Sequence, residues 1–138
     1  MAYSGKYKVT NKQKYKGDPS KIVYRSLWER HCFKWCDTSA EVLEWSSEKY
    51  HRYFPDLKIK MSTGKVYLIE IKPDKETRPP VGQRRTKQYI SEGLTYIKNE
   101  NKWKAANSFA KDRGWEFQIW TEKTLQSMGI MPKSMPGK

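Results

Sequence analysis

The stretch VYLIEIK, Val66 to Lys72, has the composition of a buried strand, yet it carries Glu70 and Lys72 two residues apart. Charges sit in such a run when they are paired or put to use. Just upstream, DLKIKM alternates Leu57, Ile59 and Met61 with Asp56, Lys58 and Lys60. VYLIEIK in turn alternates Tyr67, Ile69 and Ile71 with Val66, Leu68, Glu70 and Lys72. A loop Ser62-Thr63-Gly64, with Gly64 in the left-handed position, pairs Met61 with Lys65, Ile59 with Tyr67 and Leu57 with Ile69. The apolar faces then coincide, and a slip of one residue would bury the wrong face. This register sets Asp56 opposite Glu70 with Cβ atoms about 5 Å apart. Lys72 follows roughly 7 Å further along the strand.

Two facing carboxylates repel unless a cation lies between them or one stays protonated. Hard oxygen ligands at this spacing suit Mg²⁺, which takes few protein carboxylates and completes its shell with water and phosphate oxygens. Lys72 on the same face could direct or deprotonate the attacking water and neutralise charge on a phosphate, so the set suits phosphodiester hydrolysis. The other reading of these charges is structural: Glu70 pairs with Lys72 along the strand and Asp56 with a nearby lysine. A zinc site lacks convincing ligands, because the histidines are only His31 and His51 and the cysteines stand beside Trp28 and Phe33. No glycine-rich phosphate loop and no nucleophile-elbow or Cys/His signature is present.

The elements that must position these groups are legible around them. Ser26 followed by Glu29 is a capping box that opens an amphipathic helix, SLWERHCFKWCD, with apolar residues at 28, 32, 35 and 36. On that helix Glu29 falls at the margin of the apolar stripe and faces the protein, whereas Arg30 and Lys34 lie on the far side. After the proline-broken loop PDKETRPPVGQRR, two helices are expected, TKQYISEGLTYIKNE, weakened by Gly93, and NKWKAANSFAKDRG, capped by Gly114. WEFQIW reads as a strand, and Thr121 caps a last short helix ending near Gly129. Trp45 and Trp120 are expected in the core.

The 138 residues fit one domain: a basic N-terminal arm over 1–25, a folded core over 26–130 and a C-terminal tail over 131–138. Lys and Arg number 28 against 15 acids, a formal charge of +13, so the chain attracts polyanions. Residues 1–25 hold seven basic side chains and one acid, Asp18. Lys12, Lys14 and Lys16 of this arm, with Lys75, Arg78, Arg84, Arg85 and Lys87 after the acidic strand, are the expected sequence-blind contacts to DNA phosphates. Cys32 and Cys36, four apart on one helix, make a poor disulfide and point to a reducing compartment. No signal peptide and no apolar run of membrane-spanning length is present, so neither secretion nor a membrane partner is expected.

Pro55-Asp56, then Glu70-Ile71-Lys72 after a hairpin, with Glu29 on a preceding helix, resembles the PD-(D/E)xK nuclease superfamily. More closely, YKGDPSKIVYRSLWE, EIKPDKETRPP and NKWKAANSFAKDRGWEFQIWTE resemble the head-completion nucleases of T-even-type tailed bacteriophages, and more distantly the transposon endonuclease subunit that partners a DDE transposase. The resemblance implies an α/β, restriction-endonuclease-like core of order α-β-β-β-α-β, a small mixed sheet flanked by helices. It implies that Asp56, Glu70 and the Ile71 carbonyl hold Mg²⁺, with Mn²⁺ as a substitute, that Lys72 handles the nucleophilic water, and that Glu29 is the helix-borne acid near the metal. It implies DNA as substrate, action at the DNA end after packaging, and portal or head–tail connector proteins as partners. The place of action would be the host cytoplasm during assembly and then the virion head. A two-fold homodimer would make double-strand cutting natural. The other outcome is a nuclease-like fold that only binds DNA or the portal. Between EWSSE and KYHRYFPD the chain is shorter than the family pattern, which predicts a shortened first core strand.

Overall fold

The computed structural model describes residues 4–47, 56–82 and 86–132. Ser26 takes an extended conformation and its side chain accepts from the Glu29 N–H, which starts α1, Leu27–Thr38. There follow β3, Val42–Ser47, β4, Leu57–Met61, β5, Val66–Ile71, α2, Lys87–Asp112, β6, Glu116–Trp120, and α3, Glu122–Ser127. Ahead of α1, two-residue strands β1, Gly5–Lys6, and β2, Val23–Tyr24, pair antiparallel. From α1 to β6 the order is α-β-β-β-α-β, and the chain is α/β as the sequence reading expects.

The sheet among the described residues runs β3-β4-β5-β6, with β3, β4 and β5 antiparallel and β6 parallel to β5. A parallel return needs a crossover, and α2 supplies it. The hairpin register is the expected one: Leu57 pairs with Ile69, Ile59 with Tyr67, and the Met61 N–H donates to the Lys65 carbonyl at 2.8 Å. Gly64 stands at φ +92°, where a side chain would be strained, so it closes the turn.

Alternation decides the layers. Leu57, Ile59, Ile69 and Ile71 are buried on one face against Trp28, Cys32, Phe33 and Cys36 of α1, with Trp45 and Trp120 in the same cluster. Leu68 points to the opposite face and is fully buried, as are Ala106 and Ala110 of α2, which packs on β5 and β6. The sheet is thus covered by a helix on each side, and both cysteines are free and buried.

α2 differs from the two helices expected. It is one 26-residue helix that runs through Gly93, which has no neighbouring atom closer than the Pro80 Cγ at 4.0 Å from where a Cβ would stand. Its cost in helix propensity, about 1 kcal/mol, is met by the length on either side. The helix ends as the sequence indicates: Gly114 at φ +73° donates to the Lys111 carbonyl and Trp115 to the Ala110 carbonyl, a Schellman closure. Ile90, Leu94 and Ile97, in its first half, are exposed.

The segment read as a basic arm packs along the sheet edge at β3 through its aromatic residues. Tyr15 bridges Trp45, with ring centroids 4.8 Å apart, and Tyr7 meets both Phe33 and Trp45 edge-on. Asp37 at the end of α1 is fully buried and accepts from the Tyr7 hydroxyl at 2.8 Å, the Thr10 N–H at 2.7 Å and the Asn11 N–H at 2.9 Å. Three donors on one carboxylate compensate its burial and pin the segment. At the other end the core takes in Met131, 3% exposed. The shortened region between Ser47 and Asp56 lies outside the described residues.

Candidate active site

The hairpin ladder ends at Leu57 and Ile69, and its register continued by one step sets Asp56 opposite Glu70 at its open end. Both are half-buried. The Asp56 carboxylate is fixed there: its Oδ2 accepts from the Ile71 N–H at 2.7 Å. A backbone donor on a carboxylate oxygen sets the direction of the side chain. Glu70 is held from the other side, because β5 is an interior strand and Glu70 pairs with Ile119 of β6. Lys72 directly follows, half-buried, its N–H donating to the Trp120 carbonyl at 3.0 Å.

The chain leaving the site is tied down as well. The Asp74 N–H donates to Glu122 Oε1 at 2.7 Å, and the Asp74 carboxylate pairs with Arg78 at 2.6 Å and Lys123 at 3.3 Å. Sequence reasoning missed Asp74 and Glu122. Their signal was Asp74 straight after Lys72-Pro73, since a carboxylate beside a basic loop commonly organises it.

The structure brings Asp56, Glu70, Ile71 and Lys72 to one end of the β4–β5 pair. Glu29 stands on α1, 4% exposed as its place on the helix requires, with Oε1 accepting from the Arg25 N–H at 3.4 Å. Among the described residues no three His, Cys, Asp or Glu side chains form a group that could hold a metal ion, so Glu29 is not gathered with the other two acids. Two carboxylates and a carbonyl still fit Mg²⁺, which binds through one or two carboxylates and retains several waters. The donor set suits a hard divalent cation and not zinc.

The basic residues divide. Lys14 is committed, its Nζ donating to the Ser39 carbonyl at 2.7 Å, and Lys16 pairs with Glu44 at 3.4 Å, whereas Lys12 is exposed. These three lie by β3, at one sheet edge, while Lys75, Arg78 and Lys87 are exposed on the segment beyond β5. Arg84 and Arg85 lie outside the described residues.

A family model described as "TnsA-like endonuclease N terminal" matches residues 33–122. This range takes in Asp56, Glu70 and Lys72 and leaves Glu29 outside. The chain is also similar to the head completion nuclease of enterobacteria phage T4, 44% identical over 147 residues, covering 94% of this chain and 98% of that protein. The aligned length exceeds the 138 residues of this chain, so the alignment opens gaps in it. No solved structure matches.

Proposed function

This chain belongs to the TnsA-like endonuclease family, and we propose that it is a Mg²⁺-dependent deoxyribonuclease of phage head completion that cuts or trims the DNA end once packaging is over. The observation that supports this most is Asp56 facing Glu70 with its carboxylate locked on the Ile71 N–H, and Lys72 one residue further on. Kinship to a phage T4 protein named for head completion supports the setting.

Asp56, Glu70 and the Ile71 carbonyl are the groups that would hold the cation, while Glu29 stands apart from them on α1. When bound, Mg²⁺ supplies Lewis-acid polarisation of the scissile phosphate. Lys72 directs the attacking water, moves its proton and balances phosphate charge, while the pinned Asp74 fixes where the Lys72 backbone leads. The +13 charge holds the DNA backbone without reading sequence. Portal or connector proteins are the fitting partners at a packaged end, the host cytoplasm and virion head the fitting places, and a two-fold dimer the arrangement that cuts both strands.

Single-turnover cleavage of linear duplex DNA by Lys72→Ala, beside its DNA affinity, tests the reading. Turnover reduced at least a hundredfold with affinity kept within about threefold is the expected result. Equal and absent turnover in wild type and variant, with salt-sensitive binding in both, would assign the chain to a binding-only head-completion factor.

A further inference from the structure

Beyond Lys72 the chain enters a groove that the acidic pair does not use. One wall is the segment from Lys75 to Val81 and the other is the α2 face carrying Ser91, Thr95, Tyr96 and Asn99, and between them lies a cavity of about 660 Å³. That size falls within the range of sites for small organic groups. Only Pro73 and Asp74 separate Lys75 from Lys72, so the Cα atoms of the two lysines are no more than about 11 Å apart.

The lining has a definite chemistry. Lys75 and Arg78 are exposed cations on one wall, and Arg78, though paired with Asp74 at 2.6 Å, has five N–H donors to share. Tyr96 stands on the other wall, braced edge-on against Trp103 at 6.3 Å, with its hydroxyl bonded to Glu100. Ser91, Thr95 and Asn99 add hydrogen-bonding groups. Of the two acids in the lining, Glu76 stands on the wall of Lys75 and Arg78, and Glu92 stands on the other, where it accepts from Gln88 at 3.0 Å. Cations on one side and a braced aromatic ring with amide and hydroxyl groups on the other match a phosphate and its base.

A duplex keeps its bases stacked on one another and cannot offer one to Tyr96. A single strand can, and base–aromatic stacking with cations along the backbone is how single strands are held without sequence preference. We propose that this groove receives an unpaired DNA strand, with a base on Tyr96 and its phosphates against Lys75 and Arg78, so that the substrate is a DNA end carrying a single-stranded extension. The proposal rests on the nuclease reading for its setting, but strand binding can be measured without cleavage.

The test is fluorescence anisotropy of a labelled short oligothymidylate and of a blunt hairpin duplex, in EDTA, with wild type, Tyr96→Ala, Tyr96→Phe and Thr95→Trp. Thr95 is exposed, so the added indole blocks the groove with little risk to folding. The expected result is oligothymidylate binding weakened about tenfold in Tyr96→Ala and Thr95→Trp, kept in Tyr96→Phe, with duplex binding changed less than twofold. Unchanged oligothymidylate binding in Thr95→Trp, or equal loss on both probes, would overturn the proposal. If wild type cuts no DNA yet shows the Tyr96 dependence, the nuclease reading fails and the groove stands.

Discussion

The Ile71 N–H donates to Asp56 Oδ2 at 2.7 Å, so the strand that carries Glu70 also aims the acid that faces it. One hydrogen bond joins the geometry of the site to the end of the sheet. Asp56→Asn keeps an acceptor oxygen for Ile71 and should keep the stability while losing activity. Asp56→Ala loses both, with a cost of about 1–2 kcal/mol for a charge-assisted bond at a half-buried position. Urea denaturation and DNA cleavage on the two variants separate these effects.

Asp37 is the second buried acid with a task, and its task is structural. It is fully buried with three donors from residues 7–11. Asp37→Ala leaves those donors without their acceptor and should cost about 3 kcal/mol. Tyr7→Phe removes one bond and should cost about 1 kcal/mol. Limited proteolysis of Asp37→Ala should cut first within the N-terminal segment.

Much of this was legible before any coordinates. The hairpin register followed from alternation and one glycine, because a buried face penalises every slip. The cap at Ser26, the inward place of Glu29 and the closure at Gly114 followed from local rules of the same kind. The N-terminal segment was not legible, since side-chain bonds to Asp37 and packing on Trp45 order it and neither leaves a period. A signal existed: an acid in the last turn of a helix opposes the dipole, and α1 has no basic residue there. α2 was read as two helices, one ending at Glu100 and one starting at Asn101, because propensity was weighed without tertiary packing, and its exposed Ile90, Leu94 and Ile97 blurred the pattern further.

The arm lysines should not behave alike. Lys12→Ala, at an exposed position, should lower the slope of log affinity for duplex DNA against log salt by about one. Lys14→Ala should leave that slope alone and cost about 1 kcal/mol of stability through the lost bond to Ser39. Titrations at several salt concentrations, with melting curves, distinguish the two.

Burial first, then Arg30 and Lys34, hold the His31 imidazole below its usual value. The unfolded chain therefore binds more protons than the folded one in the interval between the folded-state value and about pH 6.5. Stability is complete above about pH 6.5 and falls as pH drops through that interval. His31→Gln should flatten the dependence, read as the urea midpoint from pH 7.5 to 5.

The most direct measurement is conversion of supercoiled plasmid by wild type and Glu70→Gln, each with Mg²⁺ and with EDTA. Glu70→Gln preserves size and removes the charge that faces Asp56. The account predicts nicked or linear product with wild type in Mg²⁺ alone, and none with Glu70→Gln. Cleavage by wild type in EDTA, or by Glu70→Gln at the wild-type rate, would contradict it.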